Sequence, residues 1–181
     1  WNFLCLLLLR HYSMANWWGD WFEHYHRSLF FSEHLPLETK FFDTYSLPAR
    51  RPMMNLICSF IMRLFGNDFW VFQITSVFLN PLASLGCLSV LRLYCPNLRR
   101  CSIVLLALLA FNPFVVHNVS YTWTKLFSAF LVLEGLSFLL NKDIKDSTRY
   151  LLGLGSLSLG VVAHYSALIY LATASIVIFL L

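Results

Sequence analysis

From residue 69 onward the chain alternates long apolar runs with short polar turns, and a polar stretch precedes them. A bilayer-spanning helix needs about 20 apolar residues. The runs 69–94, 101–116, 123–140, 150–163 and 165–181 are the candidate spans. Pro113 bends or ends the second, and His164-Tyr165-Ser166 splits the last apolar stretch into two. Residues 1–9 are too short to cross alone and match the outer end of a first span. The chain opens at Trp1 and stops inside an apolar run at Leu181, so it is expected to be a piece of a longer protein.

Residues 10–68 form one long polar segment. Within it Trp18, Trp21, Phe22, Tyr25 and Leu29 recur at helical spacing, with Asp20, Glu23, His24 and Arg27 on the opposite face. The pattern predicts a helix in the plane of the interface, its tryptophans among headgroups and its polar face toward water or a cavity. Pro52 stands where a helix can begin. Met53, Leu56, Ile57, Phe60, Ile61 and Leu64 carry it to a stop at Gly66-Asn67.

Composition narrows the class. Hydrophobic residues make up 59% of the 181 and charged ones 12%, against roughly 45–50% and about 25% in an ordinary soluble domain. The expected fold is all-α, a polytopic integral membrane helical bundle with interfacial helices in a long first outer loop. The formal charge of +4 is dispersed, without the basic stripe that a nucleic-acid backbone requires. Cys5, Cys58, Cys87, Cys95 and Cys101 lie in or beside apolar segments without a CxxC pair, and neither a zinc site nor a disulfide framework is indicated.

Arg92, Arg99 and Arg100 flank one short turn, and Lys142, Lys145 and Arg149 another on the same side of the count. The positive-inside rule assigns that side to the cytoplasm. The long loop, residues 117–122 and the turn at His164 then share the outer face.

Four short motifs follow one another in a suggestive order: Gly19-Asp20-Trp21; Arg50-Arg51-Pro52 before a helix ending Leu64-Phe65-Gly66; Phe111-Asn112-Pro113; and Gly160-Val161-Val162-Ala163-His164-Tyr165-Ser166-Ala167. In this order the chain resembles the amino-terminal half of the GT-C superfamily of polyprenyl-phosphate-sugar glycosyltransferases. It is most similar to the protein mannosyltransferase, aminoarabinose transferase and Rgt-like branch. The resemblance implies transfer of a sugar from a polyprenyl-phosphate carrier to a glycan, lipid or protein acceptor at the periplasmic or lumenal face, in the inner membrane of a bacterium more than in the endoplasmic reticulum. It places the catalytic acid of the first outer loop at Asp20, with Glu23 as a second carboxylate. Arg51, with Arg50 beside it, falls at the position that contacts the carrier phosphate. Lys125 stands near where many members carry an acid, and a cation there suits an anionic carrier. No cofactor is firmly implied, and a divalent metal stays open.

Other readings accompany these residues. Asp20-x-x-Glu23 is also a capping-box spacing, and juxtamembrane arginines commonly sit among headgroups. His11, His24, His26 and His34 match no fixed metal-ligand pattern and are expected to be solvated. Glu134, inside a span, either lines a cavity, reaches the interface or pairs with a neighbouring helix. The rival function is a membrane transporter or polysaccharide-export component.

Overall fold

The computed structural model describes residues 4–5, 20–41 and 46–180, with side chains in the first helix from Phe22 onward. The end of a first span at residues 1–9, apart from Leu4 and Cys5, lies outside the described residues, as do Trp18 and the side chains of Asp20 and Trp21.

The fold is all-α, with no strand among the described residues. Its helices are α1 (Asp20–Glu33), α2 (Met53–Phe65), α3 (Phe69–Leu79), α4 (Leu82–Tyr94), α5 (Leu98–Phe111), α6 (Pro113–Ser120), α7 (Lys125–Leu140), α8 (Asp146–Ala163) and α9 (Ala167–Leu180). A 3-10 turn at Leu47–Ala49 precedes α2. Helix α7 is the hub: it packs along α8 on one side and α4 on the other, while α9 folds back on α8 and α1 lies across α2.

Local chemistry sets the boundaries. Gly66 closes α2 at φ 115°, donating its N–H to the Met62 carbonyl at 2.8 Å, a left-handed conformation that glycine adopts without a Cβ penalty. Pro81 lacks an N–H and marks the break between α3 and α4. Asn112 caps α6 by accepting from Phe114 N at 2.9 Å and Val115 N at 3.3 Å, with Pro113 at the first helical position. There α5 and α6 bend by 63°.

Residues 69–94, α3 with α4, form the one stretch among the described residues that is long and apolar enough to cross a membrane unbroken. Helices α5 and α6 pass the same test only as a bent pair. The remaining candidate spans form α7, α8 and α9, of 16, 18 and 14 residues, each short of the ~20 that cross a bilayer untilted.

In α2 and α3 small polar side chains are buried and several large apolar ones exposed. Asn55, Cys58, Ser59 and Met62 of α2 point inward, while Leu56, Phe60 and Leu64 are turned out, Phe60 to 63% exposure. Gln73, Thr75 and Ser76 of α3 are buried where Trp70 and Phe78 are not. Small polar side chains permit close approach and bond locally: Ser76 Oγ donates to the Phe72 carbonyl at 3.0 Å, and Cys58 Sγ lies 3.9 Å from Ser76 Oγ. Such inward-small, outward-apolar faces suit helices surrounded by lipid.

Glycines bring α7 and α8 together. A Cβ built on Gly135 would lie 2.9 Å from the Gly153 carbonyl oxygen and 2.8 Å from Leu157. Across the same interface Ser128 Oγ donates to the Gly160 carbonyl at 3.0 Å. Glu134 pairs with a neighbouring helix, accepting from Ser89 Oγ of α4 at 2.7 Å.

Two expectations are corrected. The polar face of α1 takes the cavity alternative rather than the water one, and His24 is not solvated: Glu23, His24, Arg27 and Ser28 are buried beneath α2 and the segment around Leu47, with His24 lining a small cleft. Its opposite face is covered as well, Tyr25 lying 5.2 Å from the Phe69 ring and 5.7 Å from that of Phe72. Cys95 and Cys101 are not separate buried thiols but are joined as a disulfide across the turn between α4 and α5, because Pro96 and Asn97 fold that turn back on itself.

Candidate functional site

Arg27 organises the inner face of α1. Its guanidinium donates to Glu23 Oε1 through Nε at 2.7 Å, to the Leu47 carbonyl at 2.6 Å and to the Ser46 carbonyl at 2.9 Å, and it lies 4.4 Å above the Phe41 ring. Glu23 and Arg27 are each 1% exposed. A buried ion pair survives only where further hydrogen bonds satisfy both partners, and the Ser46 and Leu47 carbonyls do so for Arg27. The second carboxylate oxygen of Glu23 has no hydrogen bond and faces Arg50 Nε at 3.5 Å. The pair thus ties α1 to the strand of backbone that carries Arg50 and Arg51 into the site.

That site is a small cleft of about 70 Å³ at one end of the bundle, lined by His24, Arg50, Arg51, Trp123, Thr124, Lys125 and the turn from Ala163 to Tyr165. Arg51 stacks over the Tyr165 ring at 4.3 Å, and Lys125 Nζ lies 4.2 Å from the Trp123 ring. Tyr165 also donates its hydroxyl to the Pro48 carbonyl at 3.3 Å, holding the arginine segment from the side opposite Arg27. His24 Nδ1 lies 3.2 Å from Asn55 Oδ1.

Among the described residues, the charged side chains lining the cleft are all cationic. Arg51 and Lys125 have no carboxylate within 4.0 Å among the described residues. His164 is held below the usual histidine range, chiefly by burial and further by Lys125 and Arg50. It therefore stays largely neutral near pH 7, with Nδ1 2.9 Å from Ser166 Oγ. Arg50, Arg51 and Lys125 all border this small cleft, Arg50 also facing the Glu23 carboxylate.

The chain enters the cleft from α6 through Thr122, whose φ of 55° is rare for a β-branched residue. Its side chain is fully buried and its hydroxyl unbonded. Strain of this kind costs on the order of 1–3 kcal/mol and persists where surrounding structure imposes it; here it delivers Trp123, Thr124 and Lys125 to the cleft.

Of the residues singled out in the sequence, Arg50, Arg51 and Lys125 come together at one site. Asp20 is the first residue of α1, one helical turn ahead of the cleft-lining His24; its side chain lies outside the described residues. Glu23, expected as a second carboxylate, faces Arg27 and Arg50 with its two oxygens and does not line the cleft. Among the described residues no three His, Cys, Asp or Glu side chains gather as a metal-binding group. Sequence reasoning missed His24, Trp123 and Tyr165 as cleft walls and Arg27 as the organiser. The i, i+4 spacing of Glu23 and Arg27 was an available signal; nothing local marks Tyr165.

Comparison with protein-family models, with curated proteins and with solved structures finds no match to this chain.

Proposed function

We propose that the chain is the amino-terminal part of a polytopic, multi-pass membrane glycosyltransferase that moves a sugar from a polyprenyl-phosphate carrier to an acceptor at the outer face of a bacterial inner membrane. The observation that carries the reading is the cleft in which Arg50, Arg51 and Lys125 converge, basic side chains suited to a phosphate. In this mechanism the acceptor oxygen attacks the anomeric carbon and the bond from that carbon to the phosphate oxygen breaks. The departing phosphate gathers negative charge, which Arg51 and Lys125 neutralise. Asp20 takes the acceptor proton. Glu23 and Arg27 keep Arg50 and Arg51 in place, and the outward apolar faces of α2 and α3 rest against lipid acyl chains.

Transport is the reading against which this one is weighed. Thr75 and Ser76, buried polar residues of α3, bond to the Val71 and Phe72 carbonyls of their own helix, whereas the charged side chains of the cleft gather at one end of the bundle; this favours transfer over transport.

The test is Asp20→Asn in the full-length protein, assayed in membranes for transfer from a labelled polyprenyl-phosphate sugar. Loss of a positioned base typically costs about 10²–10⁴ in rate. Transfer at the wild-type rate removes Asp20 from the mechanism.

A further inference from the structure

A second cavity lies at the other end of α7. It is an apolar groove of about 660 Å³ between α7, α8 and α9, with Leu139, Ile169, Ala174 and Val177 among its walls and Lys142, Arg149 and Tyr150 at its mouth. Helix α7 rises about 22 Å from Lys125 to Leu140 at 1.5 Å per residue, and Lys142 follows two residues beyond its end. The groove mouth and the phosphate cleft are therefore separated by most of the ~30 Å of a bilayer core. From Ile169 to Ile178 the groove runs about 14 Å along α9, close to the ~15 Å of a single leaflet.

The mouth has chemistry of its own. Arg149 is only 16% exposed, donates from Nη2 to the Tyr150 hydroxyl at 3.0 Å and pairs with the exposed Asp146 at 2.8 Å. Its Nε is buried without a hydrogen-bond partner, and Arg149 lies among the residues lining the groove. The comparable apolar groove beside Phe65 and Trp70, about 560 Å³, has no charged residue in its lining. Apolar walls alone call for any covering; a basic mouth over a leaflet-long apolar groove calls for an anionic head on an acyl chain.

We infer that this groove binds one anionic phospholipid, its phosphate between Lys142 and Arg149 and an acyl chain along α9. The inference rests on the membrane reading above but not on glycosyl transfer. Phosphate oxygens accept from Arg149 and Lys142, and the chain fills the channel against Leu139 and Val177.

The experiment uses the full-length protein in two arms. Flotation with phosphatidylcholine vesicles tests membrane residence. Native mass spectrometry after exposure of the detergent-purified protein to equimolar phosphatidylglycerol and phosphatidylcholine then counts retained lipid. Phosphatidylglycerol is expected to be retained roughly ten- to thirty-fold in excess, the effect of two basic residues facing anionic headgroups. The K142Q/R149Q double variant is expected to bring the ratio near one. A174W, which fills the groove, is expected to lose both lipids, and D20N to keep the wild-type ratio. Should A174W fail to fold, the double variant decides, since its substitutions lie at the mouth. A wild-type ratio near one, a ratio unmoved by K142Q/R149Q, or a dimer abolished by A174W overturns the inference while a floating protein leaves the membrane reading standing. Failure to float overturns both.

Discussion

The Arg51 guanidinium lies 4.3 Å above the ring of Tyr165, joining the segment before α2 to the turn between α8 and α9. The same tyrosine donates to the Pro48 carbonyl, so a single side chain both orients one cation of the cleft and anchors the backbone that supplies it. A cation over an aromatic face is worth about 0.5–1 kcal/mol at partly exposed sites, enough to bias a flexible arginine without immobilising it.

Tyr165 can therefore be divided by substitution. Tyr165→Phe keeps the ring under Arg51 and loses the hydroxyl bond, whereas Tyr165→Leu loses both. Donor affinity, measured as KM for the labelled polyprenyl-phosphate sugar, is expected to weaken only slightly in Tyr165→Phe and roughly three- to ten-fold in Tyr165→Leu. Equal effects from the two would show that the ring contact contributes nothing.

Glu23 and Arg27 form the most deeply buried charged pair described, each 1% exposed. Removing one partner of such a pair leaves an uncompensated charge and costs about 3–5 kcal/mol. Glu23→Gln should lower the thermal midpoint in detergent sharply. Adding Arg27→Met should recover part of that loss, because the stranded guanidinium goes with it. A double variant less stable than Glu23→Gln alone contradicts this account.

Two glycines of α7 and α8 differ in what surrounds them. A methyl at Gly135 meets the Gly153 carbonyl at 2.9 Å, while one at Gly155 meets nothing within 4 Å. Gly155→Ala is expected to stabilise by up to about 1 kcal/mol through helix propensity. Gly135→Ala is expected to destabilise by about 1–3 kcal/mol, overpacking outweighing that gain. Thermal unfolding of the two single variants checks the difference in sign.

Cys95 and Cys101 are joined beside Arg92, Arg99 and Arg100, whereas the proposed orientation would put that turn in the cytoplasm, where disulfides rarely persist. With the proposed orientation, both thiols are expected to react with a membrane-permeant maleimide in intact cells and to form the bond only on oxidation of the purified protein. A pair already blocked in cells would reverse the orientation of the bundle and carry the phosphate cleft to the cytoplasmic side.

Most helix ends were legible because their causes are local. Pro52 opens α2 and Gly66 closes it; Pro113 produces the 63° bend; His164 separates α8 from α9. Each depends on a missing N–H, a permitted φ or a cap within a few residues, and hydropathy supplies the rest. Arg50, Arg51 and Lys125 were visible as isolated cations next to helix starts. That they share a cleft was not, since their proximity depends on how α1, α7 and the α8–α9 turn meet.

The amino-acid sequence by itself determined the all-α class and most helix ends, because backbone sterics and residue periodicity act over one or two turns. Only the tertiary structure decided which face turns inward. Periodicity separates polar from apolar side chains without stating what covers either, and here Glu23, His24, Arg27 and Asn55 are inside while Phe60 and Leu64 are out. It also decided that Tyr165 meets Arg51 and that Cys95 meets Cys101, since contacts made by chain folding depend on the packing of whole helices rather than on neighbours along the chain.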